Sequence, residues 1–162
     1  MTDSEPLTKP GVLLGEPFSA HGVLMAPRHS ASLGLHSELK RYENFDLFIS
    51  QFVLDEAAAG DSEAARRRMA ALEGISLLDV TDDAIMLAEK LVAGGGMPSK
   101  ARVDALHVAA AASHGMDYFL TWNCQHIANA SLRGRIEDLC RAAGFEPPVI
   151  CTPFELAQEW RQ

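Results

Sequence analysis

From about residue 46 onward, apolar residues fall into short runs and helical stripes that alternate along the chain. Asp46-Leu-Phe-Ile-Ser50 predicts a short buried strand, and the stretch from Val53 to Ala59 predicts a helix that Gly60 ends. Asp61 stands as N-cap to a helix running through Leu72 and stopped at Gly74, and Ile75-Ser-Leu-Leu78 predicts a brief strand. Thr81 caps the next helix, with Asp82 and Asp83 in a first turn whose unpaired N–H groups favour anions. Its apolar stripe is Ile85, Leu87, Ala88, Leu91 and Val92, and Gly94-Gly-Gly96 closes it. Residues 101–114 are Ala-rich and apolar on nearly every face, the pattern of a central helix.

Beyond Gly115, Tyr118-Phe-Leu-Thr121 predicts another strand. Leu132, Ile136, Leu139 and Ala143 keep helical spacing up to Gly144, and Val149-Ile-Cys151 predicts the last strand. Thr152-Pro153-Phe154-Glu155 combines an N-cap, a proline at the first helical position and a capping-box glutamate. Strands alternating with helices predict an α/β fold with a mostly parallel sheet.

Residues 1–40 read differently. They hold four of the eight prolines (Pro6, Pro10, Pro17, Pro27), and their apolar residues come in bursts, Val12-Leu13-Leu14 and Val23-Leu24-Met25, each broken by Gly or Pro. The expected division is an atypical, partly disordered segment over 1–40 and an α/β domain over 41–162.

A chain of 162 residues with 48% hydrophobic residues suits one ordinary globular domain. No apolar run is long enough to span a bilayer, and the N-terminus lacks the basic-then-apolar order of a secretory signal, so the expected location is cytoplasmic, with no membrane. Three cysteines without CxxC spacing read as reduced thiols. A net charge of −8 argues against a general nucleic-acid binder, which needs cations to neutralise phosphates. It leaves room for an acidic site that engages nucleic acid through a divalent ion, or for a basic protein partner.

Ligands of parallel α/β sheets gather outside the carboxyl ends of the strands. Glu56 follows the first clear strand, Asp104 opens the central helix, and Asn123 follows the Tyr118–Thr121 strand. Such oxygens, drawn from distant parts of the chain, suit Mg²⁺ or Mn²⁺. Singly each has a plainer reading: a solvated carboxylate, a dipole-compensating acid, a turn residue.

Asp104-Ala-Leu-His-Val-Ala-Ala-Ala-Ala112, Gly115-Met-Asp-Tyr-Phe-Leu-Thr-Trp-Asn123-Cys-Gln-His126-Ile-Ala-Asn129 and Gly144-Phe-Glu-Pro-Pro-Val-Ile-Cys-Thr-Pro-Phe-Glu-Leu156 together resemble the core of PIN domains of the VapC-like toxin branch. Ile49-Ser-Gln-Phe-Val-Leu-Asp-Glu56 resembles the segment carrying that family's second acidic residue, so the resemblance spans about residues 45–158. It implies a three-layer α/β/α fold and Mg²⁺- or Mn²⁺-dependent hydrolysis of RNA phosphodiesters by metal-activated water. Glu56 and Asp104 would be metal-binding carboxylates, Asn123 would orient water or metal from a neutral amide, and Thr121 would hydrogen-bond in the same site. The implied partners are an RNA substrate and a small antitoxin protein, and the resemblance allows a homodimer.

The family's opening strand, ending in an Asp-Thr-Ser-like turn, has no match here, so the N-terminal strand is expected to be missing or irregular. Val12-Leu13-Leu14-Gly15-Glu16, a short apolar run followed by an acid, is its stand-in, with Glu16 as candidate fourth ligand. Without an acid at that position a metal ligand is lost, and the alternative becomes a catalytically degenerate PIN fold serving as a binding or interaction module.

Other residues read first as structural. His107 and His126 are hydrogen-bonded histidines or, alternatively, pocket donors, and Cys124 has no positioned His–acid partner. Arg66-Arg67-Arg68 reads as a solvated face, with contact to an acidic partner or RNA as the alternative. Trp122 either stacks a base or joins the core.

Overall fold

The computed structural model describes residues 9–15, 44–121, 127, 129–152 and 155–156. Among these, β1 (Gly11–Leu14), β2 (Asp46–Ser50), β3 (Ser76–Leu78), β4 (Tyr118–Leu120) and β5 (Val149–Cys151) form one sheet in the order β3-β2-β1-β4-β5. Every pairing is parallel. The helices are α1 (Gln51–Ala58), α2 (Ser62–Leu72), α3 (Asp82–Ala93), α4 (Arg102–Ser113) and α5 (Ala130–Ala142). The chain steps outward from β1 to β3, then crosses to the far side of β1 for β4 and β5. The strand order therefore reverses at β1.

Strand residues alternate between faces, and here both faces are covered. Leu13, Phe119 and Ile150 pack with Ala84, Leu87, Ala88 and Leu91 of α3, with the buried side of α4, and with Ile136 and Cys140 of α5. Val12, Leu14, Ile49, Leu120 and Cys151 pack on the opposite side with Val53 and Ala57 of α1, Leu72 of α2 and Leu156. The result is three layers, α/β/α.

The N-terminal strand is thus neither missing nor irregular over residues 11–14. Val12-Leu13-Leu14 is apolar without alternation because β1 lies between two strands and under helices on both faces. Segment 1–40 contributes the central strand of the domain; its residues 1–8 and 16–40, including Val23-Leu24-Met25, lie outside the described residues. A second correction concerns α3. Its buried stripe is Ala84, Leu87, Ala88 and Leu91, whereas Ile85 and Met86 are exposed. Spacing of three and four residues carries the buried face through Ala84, and Ile85 falls one position off it.

Helix ends follow the capping chemistry of the sequence. Asp61 Oδ1 accepts from the Ala64 amide at 2.9 Å, and Thr81 Oγ1 from the Ala84 amide at 3.2 Å. At Thr152 the box closes reciprocally: Glu155 Oε2 accepts from the Thr152 amide at 2.8 Å, and Thr152 Oγ1 accepts from the Glu155 amide at 3.3 Å. The arginine run divides its work. Arg66 and Arg67 pair with Glu63 on the surface. Arg68 is buried and donates to the Ala57 and Ala59 carbonyls at the end of α1, beside Gly60 at φ +85°. A cation on the last carbonyls of a helix is favoured by the macrodipole.

Gly15 ends β1 because nothing larger fits. Its amide donates to the Leu120 carbonyl at 2.8 Å, and an added Cβ would lie 2.5 Å from Phe119 Cζ and 3.1 Å from the Leu120 oxygen. Gly15→Ala is expected to cost about 1–3 kcal/mol, the usual range for overpacking a core. The urea midpoint reads this; an unchanged midpoint would mean that the Phe119 ring yields without cost.

The Glu155 carboxyl is held below the ordinary carboxylate range, chiefly by the Thr152 backbone N–H. A group whose pKa is lower in the folded state adds stability above its unfolded value and loses it as pH falls through the folded one. Glu155→Gln should therefore lower Tm at neutral pH, and its gap from the native chain should close on acidification below the carboxylate range. A gap independent of pH would show that the carboxylate charge is not what matters.

Candidate functional site at the carboxyl rim of the sheet

The register of the three middle strands defines the rim. Leu14 is level with Ile49 of β2 and with Leu120 of β4, so the next residues, Gly15, Ser50 and Thr121, form one row across the sheet. By alternation their side chains share the face of Leu13 and Phe119, which α4 covers. Thr121 is buried, and its amide donates to the Cys151 carbonyl at 3.0 Å, extending the β4–β5 pairing.

Ser50 is the N-cap residue of α1, yet its hydroxyl makes no cap hydrogen bond. It lies 3.3 Å from Nδ1 of His107, in the second turn of α4. Both side chains are fully buried. The imidazole meets Phe52 edge-on at a centroid distance of 5.8 Å and stacks on Phe119 at 6.2 Å. Its Nε2 has no hydrogen-bond partner among the described residues and faces Glu56 Oε1 across 4.0 Å.

Asp104 occupies the first turn of α4 and is buried. It precedes His107 by three residues and so shares its helix face. Glu56 is half-exposed on α1. Glu56 thus approaches the His107 imidazole across 4.0 Å, and the buried Asp104 lies three residues before that histidine on α4. Glu16, Trp122, Asn123, Cys124 and His126 lie outside the described residues.

Glu56 and Asp104 offer carboxylate oxygens, the donor chemistry that a hard divalent cation such as Mg²⁺ or Mn²⁺ takes. Among the described residues, no group of three or more His, Cys, Asp or Glu is gathered closely enough to hold an ion. His107 is both a hydrogen-bonded core histidine and a neighbour of Glu56. Ser50 is the residue sequence reasoning missed. Its signal was a hydroxyl closing an apolar strand just before a helix, a position that reads first as a cap.

Cys140 and Cys151 are buried, and burial pushes the Cys140 thiol up to about 11, away from nucleophilic character. No helix among the described residues is long and apolar enough to cross a membrane.

No family model and no curated protein matches the chain. Among solved structures it is similar to a chain of VapBC2 from Rickettsia felis, crystallised bound to a DNA fragment from their promoter. The two share 15% identity at a TM-score of 0.55, with 88% of this chain and 98% of that chain covered. At that identity the likeness speaks for the fold. The fold is the PIN-like three-layer α/β/α architecture, with an all-parallel five-stranded sheet.

Ser50→Ala removes the partner of a buried imidazole nitrogen and should destabilise the chain by about 1–3 kcal/mol. Glu56→Gln, at a half-exposed position, should stay within about 0.5 kcal/mol. Chemical denaturation of both variants checks the contrast; equal effects would remove the distinction drawn between a buried anchor and a rim carboxylate.

Proposed function

We propose that this chain is a metal-dependent ribonuclease of the toxin–antitoxin kind, acting on RNA phosphodiesters with Mg²⁺ or Mn²⁺. The observation that carries the reading is the 4.0 Å approach of Glu56 to His107, one turn along α4 from the buried Asp104, beside the strand β1 where the strand order reverses. Glu56 and Asp104 would hold the cation, with Asn123 and Glu16 as the candidates to complete the set. A bound cation would supply Lewis acidity toward the phosphodiester and toward water. The chain's own groups do the rest. Asp104, fixed on a buried helix, sets one edge of the site, and Glu56, half-exposed on α1, closes the other.

Charge supports the same reading. A chain at −8 has little to offer a polyanion unless an ion reverses the local sign. An antitoxin partner is proposed because the similar structure is VapBC2. RNA as substrate, a homodimer and a cytoplasmic setting belong to the same proposal. The alternative, a catalytically degenerate PIN fold used as an interaction module, rests on the described residues gathering no three His, Cys, Asp or Glu closely enough to hold an ion.

Calorimetric titration of the native chain with Mn²⁺ is expected to give saturable binding that Asp104→Asn abolishes, together with Mg²⁺-dependent cleavage of RNA that the same variant loses. Binding unchanged in Asp104→Asn would remove this site. Metal binding without cleavage of any RNA offered would favour the interaction module.

A further inference from the structure

We infer that His107 is a positioning residue for Glu56: Ser50 fixes the tautomer of the imidazole, and the Nε2–H so created holds the Glu56 carboxylate toward the rim. The inference rests on the cation-binding reading above. A buried polar nitrogen without a partner is costly, and the Nε2 of His107 is in that state while facing an acid. A neutral imidazole carries one N–H, on either nitrogen. A bare Nε2 lone pair would confront a carboxylate oxygen, two acceptors face to face. A proton there turns the same approach into attraction and requires Nδ1 to accept, and Ser50 Oγ lies 3.3 Å from Nδ1 with a proton to give.

The remaining gap also has a function. At 4.0 Å the Nε2–Oε1 separation is longer than a hydrogen bond, and Glu56 is half-exposed while the buried ring packs against Phe52 and Phe119. Turning its carboxylate toward a cation at the rim leaves one oxygen for the ion and one for the imidazole, the outer-shell arrangement that orients metal-binding carboxylates. Ser50, His107 and Glu56 do not form a hydrolytic triad. The serine hydroxyl is fully buried and cannot meet a substrate.

Two measurements test this on the full chain. Long-range ¹H–¹⁵N NMR of the imidazole should show His107 as the Nε2–H tautomer in the native protein, and an Nδ1–H tautomer would overturn the inference whatever the metal does. Mn²⁺ titration should then show His107→Phe, which keeps a ring but no donor, weakened by about 10–100-fold. His107→Gln, which returns an N–H near the Nε2 position, should recover most of that loss. Binding by His107→Phe equal to that of the native chain overturns the inference alone. Should His107→Phe fail to fold, His107→Gln decides: near-native affinity supports the role, and a loss as large as that expected for the phenylalanine variant overturns it. A native chain that binds no Mn²⁺ overturns the metal reading and this inference with it.

Discussion

Burial of β1 on every side is the constraint from which the rest of the domain follows. A strand hydrogen-bonded to β2 on one edge and β4 on the other, with helices over both faces, has no solvent-facing position, so each of its side chains must be apolar. Val12 and Leu14 anchor one layer and Leu13 the other. The close approach of Gly15 to Leu120 and Phe119 ends the strand with no room for a side chain. That tight end aligns Gly15, Ser50 and Thr121 in one row and makes the carboxyl rim a defined surface.

At that rim, polar groups are buried where the packing is otherwise apolar. The Ser50 hydroxyl and the His107 ring sit under α4 among Phe52 and Phe119, away from water. Such a pair costs desolvation, and the hydrogen bond between its members only partly offsets it. A leucine at either place would be the ordinary core solution. The structure instead keeps an imidazole with one nitrogen anchored in the core and the other turned toward an acid. Alanines make this geometry available: Ala105 and Ala109 through Ala112 keep α4 slim enough to pack tightly on the sheet and on α3. The ends of α4 divide its roles. Its first turn carries Asp104 to the rim, and its C-cap residue His114 reaches the Asp79 carbonyl at 2.8 Å.

Much of this was legible in the residues. Short apolar runs between turn residues and helical spacing locate β2 through β5 and all five described helices within a residue or two, because such patterns record which side an element buries. Capping at Asp61, Thr81 and Thr152 was readable because an N-cap interaction spans only three residues. The strand Gly11–Leu14 was harder. Three apolar residues between Pro10 and Gly15 carry no period, and a neighbourhood rich in Pro and Gly argued for irregular chain. Ile85 was misassigned to a buried stripe because a helix with apolar residues on adjacent positions offers more than one plausible face, and only the neighbouring helix selects between them.

Local sequence determined where elements begin, how they are capped, and that acids stand at Glu56 and Asp104. These properties depend on residues within a turn or two of one another. The tertiary structure decided that residues 11–14 form the centre of the sheet, that Arg68 closes α1 while Arg66 and Arg67 stay at the surface, and that Ser50 serves His107 instead of its own helix. Each of those outcomes depends on a partner distant in the chain or on a packing face chosen by a neighbour. Contacts of that kind have no spacing to read, because long-range pairing is set by how layers close over one another.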